Sequence, residues 1–157
     1  MKRADLLLGG GALLSLTAVG LALATQHVWG MQPCAWCVLQ RLVFVCIAAA
    51  CVLGLVWRSP LGRRAGAALA GVLALGGVAA ALWQHFVAAS SASCDLSLAE
   101  QIVGYTGLDA RYPDVFMAMA SCADAKVTLL FMPYEFWSLG LFVVLAGAMA
   151  LVLRRPG

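Results

Sequence analysis

Apolar positions in this chain run in long blocks, not in the one-in-two alternation of a half-buried strand. At 1.5 Å per helical residue a bilayer core takes about 20 apolar residues. Four blocks reach that length, at about 6–25, 37–57, 65–86 and 136–153. The fourth could start earlier, because Val127 to Tyr134 is also largely apolar. The second block is the tightest. Only 16 uncharged residues separate Arg41 from Arg58, roughly 24 Å of helix. Starting near Cys37 gives 21 residues to Trp57, about 31 Å, and sets Arg41 just inside one membrane face.

The first block has a rival reading. Met1 to Asp5, a leucine-rich run and Ala22-Leu23-Ala24 resemble a signal peptide with its cleavage site. However, the run exceeds the roughly 7–15 residues of a signal's apolar core, and Asp5 dilutes the leading positive charge. A true span is expected.

Composition sharpens this picture. Of 157 residues, 64% are apolar and 11% charged, against about 25% charged in soluble domains. The pattern therefore predicts an all-α, four-helix transmembrane bundle in a single domain. The net charge of +3 does not point to nucleic acid. Lys2 and Arg3, then Arg58, Arg63 and Arg64, then Arg154 and Arg155 flank the apolar blocks, as basic residues do on the cytoplasmic side. Both termini and the loop at 57–64 are expected there. Segments at about 26–36 and 87–126 then face outward. The second carries Asp95, Glu100, Asp109, Asp114 and Asp124 against Arg111 and Lys126. Within it, Asp109 to Met119 reads as one short interfacial helix. Pro113 and Asp114 suit its first turn, and Val115, Phe116 and Met119 form an apolar face for the membrane surface or the bundle.

The cysteines carry the candidate chemistry. Cys46 and Cys51 fall mid-span, where cysteine packs as a small apolar residue. Cys34, Cys37, Cys94 and Cys122 all fall in the outward segments. One reading is a four-cysteine zinc site. Such sites take ligands as two close pairs, whereas Cys94 and Cys122 lie 28 positions apart, so two disulfides suit the spacing better. A bridge between Cys94 and Cys122 would staple a long loop. One across C-x-x-C closes too small a ring to be a useful staple and points to redox chemistry. With Pro33 at a first helical position, the helix dipole would favour a thiolate in the pair. Arg41, four residues after Cys37, shares its helix face, and side chains lean toward the amino terminus. Its guanidinium is expected to aim at the Cys37 sulfur and to hold a thiolate, a quinone oxygen or both. The alternative is an arginine that snorkels to the interface.

The run Cys34-Ala35-Trp36-Cys37-Val38-Leu39-Gln40-Arg41 resembles the C-x-x-C-x-x-[QE]-R motif of the disulfide bond formation protein B family. Trp83-Gln84 closing the third block, Ser121-Cys122-Ala123-Asp124, and Trp137-Ser138-Leu139 in the fourth agree with it. The resemblance implies a quinone-dependent thiol oxidase of the bacterial inner membrane. It would reoxidise a periplasmic, DsbA-like thioredoxin-fold carrier and use ubiquinone or menaquinone as cofactor. Cys34, Cys37, Cys94 and Cys122 would be catalytic: the carrier attacks Cys94, Cys122 exchanges with Cys34, and Cys37 is the terminal donor. Arg41, Gln84 and His85 would bind the quinone, with no metal involved. Two departures stand out. Some relatives have a histidine where this chain has Ala80, a role His85 could take. Others place proline two residues before the Trp137 equivalent, whereas Pro133 stands four before it and Glu135 intervenes at the expected interface. Two further readings stay open. One is a scaffold with inert disulfides; the other is a quinone reductase like the vitamin K epoxide reductases, although in those C-x-x-C lies late in the chain.

Overall fold

The computed structural model describes residues 3–90, 97–121, 123–124 and 128–155. Four helices in it are long and apolar enough to cross a membrane: α1 (Arg3–Trp29), α2 (Ala35–Val56), α3 (Pro60–Phe86) and α7 (Tyr134–Arg154). The architecture is an all-α four-helix bundle. The first block is a packed member of it. Gly11 of α1 faces Met149 of α7 and Cys51 of α2, and a Cβ on it would come within 3.2 and 3.3 Å of their side chains.

Small residues decide where the helices approach. A Cβ on Gly66 would lie 2.7 Å from the Gly54 backbone, so α2 and α3 touch through two glycines near their joining turn. Gly77 of α3 leaves room for the Phe142 ring of α7, which any Cβ there would strike. Phe142 then stacks on Phe44 of α2 at 4.2 Å with planes 8° apart. In lipid, where apolar burial does not drive helices together, such close packing holds a bundle. The turn between α2 and α3 is set by local chemistry. Ser59 caps α3 by accepting from Gly62 N at 3.0 Å, and Pro60 follows at the first helical position. Arg63 donates to Asp5 at 2.6 Å, tying α1 to α3 at the basic end.

The opposite end carries the long connection between α3 and α7. Its first helix, α4 (Leu98–Thr106), begins with a reciprocal cap between Ser97 and Glu100 and ends at Gly107 with φ +66°. The expected single helix over 109–119 is instead two single turns, α5 (Leu108–Arg111) and α6 (Pro113–Phe116). Pro113 is the reason: it drives the preceding residue out of helical geometry, and Tyr112 takes φ −134° and ψ 67°. Phe116 packs with Cys34, Trp36 and Val103 in a cluster capping the bundle, while Met117 and Met119 stay exposed.

The apolar stretch before α7 does not extend that helix. It forms a two-residue hairpin, β1 (Thr128–Leu129) against β2 (Met132–Pro133). Leu130 and Phe131 turn it with φ +52° and +68°. Pro133 then marks the start of α7 at Tyr134.

Candidate functional site

The cysteine end of α2 is built from its N-cap. Cys34 holds extended geometry (φ −83°, ψ 169°), and its sulfur accepts from Cys37 N at 3.4 Å. Pro33 therefore stands outside the helix, two positions before its first helical residue. The physical reason is visible in its carbonyl, which accepts from Met119 N at 2.9 Å and Ala120 N at 3.3 Å. A parallel bridge pairs Cys34 with Ala120. Cys34 is fully buried, and its sulfur lies 2.9 Å from that of Cys37. Cys94 and Cys122 fall outside the described residues.

Cys37 also faces the bundle. It lines a cavity of about 360 Å³ with Gln40 and Arg41 of α2 and Gln84 of α3. Leu21 and Ala22 of α1, Phe44 of α2, and Trp137 and Leu141 of α7 make the apolar walls. The amides form a directed chain: Gln40 Nε2 donates to Gln84 Oε1 at 2.7 Å, and Gln84 Nε2 donates to Cys37 Sγ at 3.3 Å. Gln84 thus addresses the sulfur from the neighbouring helix.

Arg41 does not take that place. It is 6% exposed, which removes the snorkelling alternative, and the bonds it makes to described residues run to α1 and α6. Nη1 donates to Gln26 Oε1 at 2.6 Å and to the Val115 carbonyl at 3.1 Å, and Nη2 to the Ala22 carbonyl at 3.3 Å. A buried guanidinium needs acceptors, and those at hand are on α1 and α6. Gln26 in turn donates from Nε2 to the Asp114 carbonyl at 3.1 Å. Gln26 and Arg41 together clamp α6 onto the bundle.

His85 was expected beside Gln84 as a ligand of the bound ring, yet it is not among the described residues lining the cavity. One position along a helix turns a side chain by roughly 100°, and His85 points instead at α7, packing edge-on against Phe136 at 4.7 Å. Its Nδ1 lies 2.8 Å from Glu135 Oε1. Glu135, expected at the interface, is buried, and it does line the cavity. Cys46 and Cys51 lie along α2 away from this site, and Cys51 Sγ donates to Met149 Sδ at 4.0 Å within the core. Among the described residues no group of three or more potential metal ligands gathers.

The fit of a quinone was tested on the cavity itself. Its volume lies in the roughly 300–1,000 Å³ range of small-molecule sites, and its walls are mainly apolar. Arg41, one of the residues on its wall, carries five N–H donors, three of which bond to described neighbours. An apolar ring with carbonyl oxygens meets matching chemistry there.

A bundle of membrane-length helices that seats a C-x-x-C pair between a loop strand and an apolar cavity defines a membrane-embedded dithiol protein. The model of the family described as disulfide bond formation protein DsbB matches residues 4–152. The chain belongs to that family and is a multi-pass membrane protein of disulfide bond formation. It is similar to disulfide bond formation protein B of Herminiimonas arsenicoxydans, 31% identical over 147 residues, covering 93% of this chain and 92% of the relative. It is also 33% identical over 144 residues to the protein of that name from Aromatoleum aromaticum, with 88% and 86% covered. A third relative, disulfide bond formation protein B 1 of Pseudomonas aeruginosa, is 32% identical over 150 residues, with 92% of each chain covered.

Proposed function

We propose that this protein is a quinone-linked thiol oxidase of the bacterial inner membrane, with both termini in the cytoplasm and Cys34, Cys37, Cys94 and Cys122 as its catalytic residues. It reoxidises a periplasmic thioredoxin-fold dithiol carrier. A carrier thiolate attacks Cys94 of a Cys94–Cys122 disulfide and releases the Cys122 thiolate. Cys122 attacks Cys34 of a Cys34–Cys37 disulfide, and Cys37 leaves as the thiolate. The second carrier thiolate then closes the carrier disulfide and frees Cys94. Cys94 attacks Cys122 to restore their bridge and frees Cys34, so that Cys34 and Cys37 can close again as their two electrons pass on. A quinone, when bound, supplies the sink for the two electrons that reach Cys37.

One observation carries this reading: Cys37 lines the apolar cavity while its partner Cys34 is bridged to Ala120, two positions before Cys122 in the sequence. The pair thus has one residue joined by its backbone to the loop and the other on the cavity wall. Gln84 gives the Cys37 sulfur an N–H donor, which stabilises negative charge on it. Arg41, on the cavity wall, would hold a quinone oxygen. Trp137 and Leu141 supply apolar surface for a ring and keep water from the sulfur.

The test is oxidation of a reduced thioredoxin-fold carrier by the purified protein in lipid, with and without added ubiquinone or menaquinone. Catalytic oxidation that requires the quinone is the expected result. Oxidation that stops at stoichiometric amounts, with or without quinone, would refute the reading.

A further inference from the structure

Reducing a quinone to a quinol takes two electrons and two protons, and the proposed cysteine relay delivers only the electrons to an apolar cavity. Among the described titratable groups, those on its wall are Cys37 and Arg41 from α2, and Tyr134 and Glu135 from α7. The neighbouring α1 and α3 contribute only neutral polar groups to that wall, Thr25 and Gln84. Arg41 is effectively always protonated and cannot serve as an acid. Glu135 differs from the others in having a titratable partner behind it that is partly exposed, whereas Cys34 beside Cys37 is fully buried. His85 Nδ1 lies 2.8 Å from Glu135 Oε1, and the side chains are 33% and 11% exposed respectively. The pair therefore runs from the surface at the cysteine end of the bundle into the cavity wall.

Resting on the quinone reading above, the geometry points to His85 and Glu135 as the proton entry of this enzyme. The route requires one proton shared by the pair, carried by the imidazole or by the carboxyl. At 2.8 Å it passes from Nδ1 to Oε1 with no rearrangement of heavy atoms. Glu135 then stands in the cavity wall as a carboxylic acid, a general acid next to the space where the ring would lie. Phe86 and Phe136 pack edge-on against the imidazole at 4.9 and 4.7 Å and fix its plane. The balance closes. The carrier dithiol loses two electrons and releases two protons to water outside, and the cavity takes up two electrons and two protons. Each proton enters through His85, and Glu135 is reloaded from it. His85 is thus a positioning and relay residue, and Glu135 is the group that faces the acceptor.

The experiment compares wild type, Glu135→Gln and His85→Gln in lipid nanodiscs. Glutamine at 135 keeps the size of the side chain but cannot give up a carboxyl proton. Glutamine at 85 keeps a donor for Glu135 but cannot relay. Glu135→Gln is expected to slow quinone reduction 10- to 100-fold. His85→Gln should flatten the pH dependence of that rate, and imidazole in the buffer should restore it. One equivalent of carrier should still be oxidised without quinone in all three. A readout independent of turnover comes from quinone-free protein. Infrared difference spectra between acidic and neutral buffer should show a carboxylic-acid band that is absent in Glu135→Gln and displaced in His85→Gln. Rates and pH profiles within twofold of wild type, or an infrared spectrum common to all three proteins, would overturn the proton route alone. A wild type that reduces no quinone overturns the underlying reading instead.

Discussion

Replacing Gln26 by leucine removes one side chain from α1 and two bonds from the clamp on α6. The first is the acceptor for Arg41 Nη1 at 2.6 Å, and the second is the donor to the Asp114 carbonyl at 3.1 Å. A hydrogen bond to a charged group contributes about 1.5–3 kcal/mol and a neutral one about 0.5–1.5 kcal/mol, so the loss is about 2–4 kcal/mol. A membrane-inserted unfolded chain finds substitute partners, which lowers such values to about 1 kcal/mol per bond or less. Taken together, Gln26→Leu should cost about 2 kcal/mol, close to 30-fold in the folding equilibrium. The assay is unfolding in mixed micelles, followed by the fluorescence of the five tryptophans. Gln26→Glu serves as the control: it keeps an acceptor for Arg41, loses the donor to Asp114, and should fall between leucine and wild type. The same clamp holds the segment from Met117 to Ala120 against Cys34. Thiol-reagent labelling of fully buried Cys34, followed by peptide mass spectrometry, should therefore accelerate severalfold in Gln26→Leu. A stability within 0.5 kcal/mol of wild type together with unchanged Cys34 labelling would refute the clamp.

Further predictions follow from the proposed relay. Cys37→Ser should abolish quinone reduction, measured by quinone absorbance; retained turnover would remove Cys37 as terminal donor. Cys122→Ser should leave Cys94 a free thiol that attacks the disulfide of the oxidised carrier and holds it as a covalent complex, seen as a band on a non-reducing gel that disappears with reductant. Absence of that band would reverse the order of attack. Cys51→Ala should lower stability by about 1 kcal/mol, as for a small core deletion, and leave turnover within twofold; a large loss of turnover would give this core cysteine a role in the chemistry.

What could be read from the sequence was what depends on composition over a full helix. Four apolar blocks of bilayer length and the Cys34–Arg41 motif need no knowledge of neighbours. The structure departs where a single side chain chooses between neighbours on other helices. Arg41 shares a helix face with Cys37, yet its acceptors come from Gln26, Ala22 and Val115, 15 to 74 positions away. Gln26 was not legible as a partner, because it opens the outward segment in the sequence and is buried only through the extension of α1 to Trp29. The signal for α4 was plain: Ser97-Leu98-Ala99-Glu100 is a capping box. Glu135 was legible as an acidic residue at the edge of a span, but its pairing with His85 depends on how α3 and α7 cross. That crossing is set by Gly77 admitting Phe142, and no local periodicity encodes it.

The hairpin turn at Leu130 and Phe131 bears on which surroundings this protein suits. Left-handed backbone costs roughly 1–2 kcal/mol for each residue with a side chain, and asparagine-glycine would make the same turn in water with little penalty. Here the turn holds out Phe131, completely uncovered at 102% relative exposure. Taking a phenylalanine out of water returns about 1.5–3 kcal/mol, comparable to the backbone penalty of the two residues. Hydrocarbon over the ring would offset the cost of this corner. Short-chain detergents that fail to wet it would leave the loop ahead of α7 the least settled part of the purified protein.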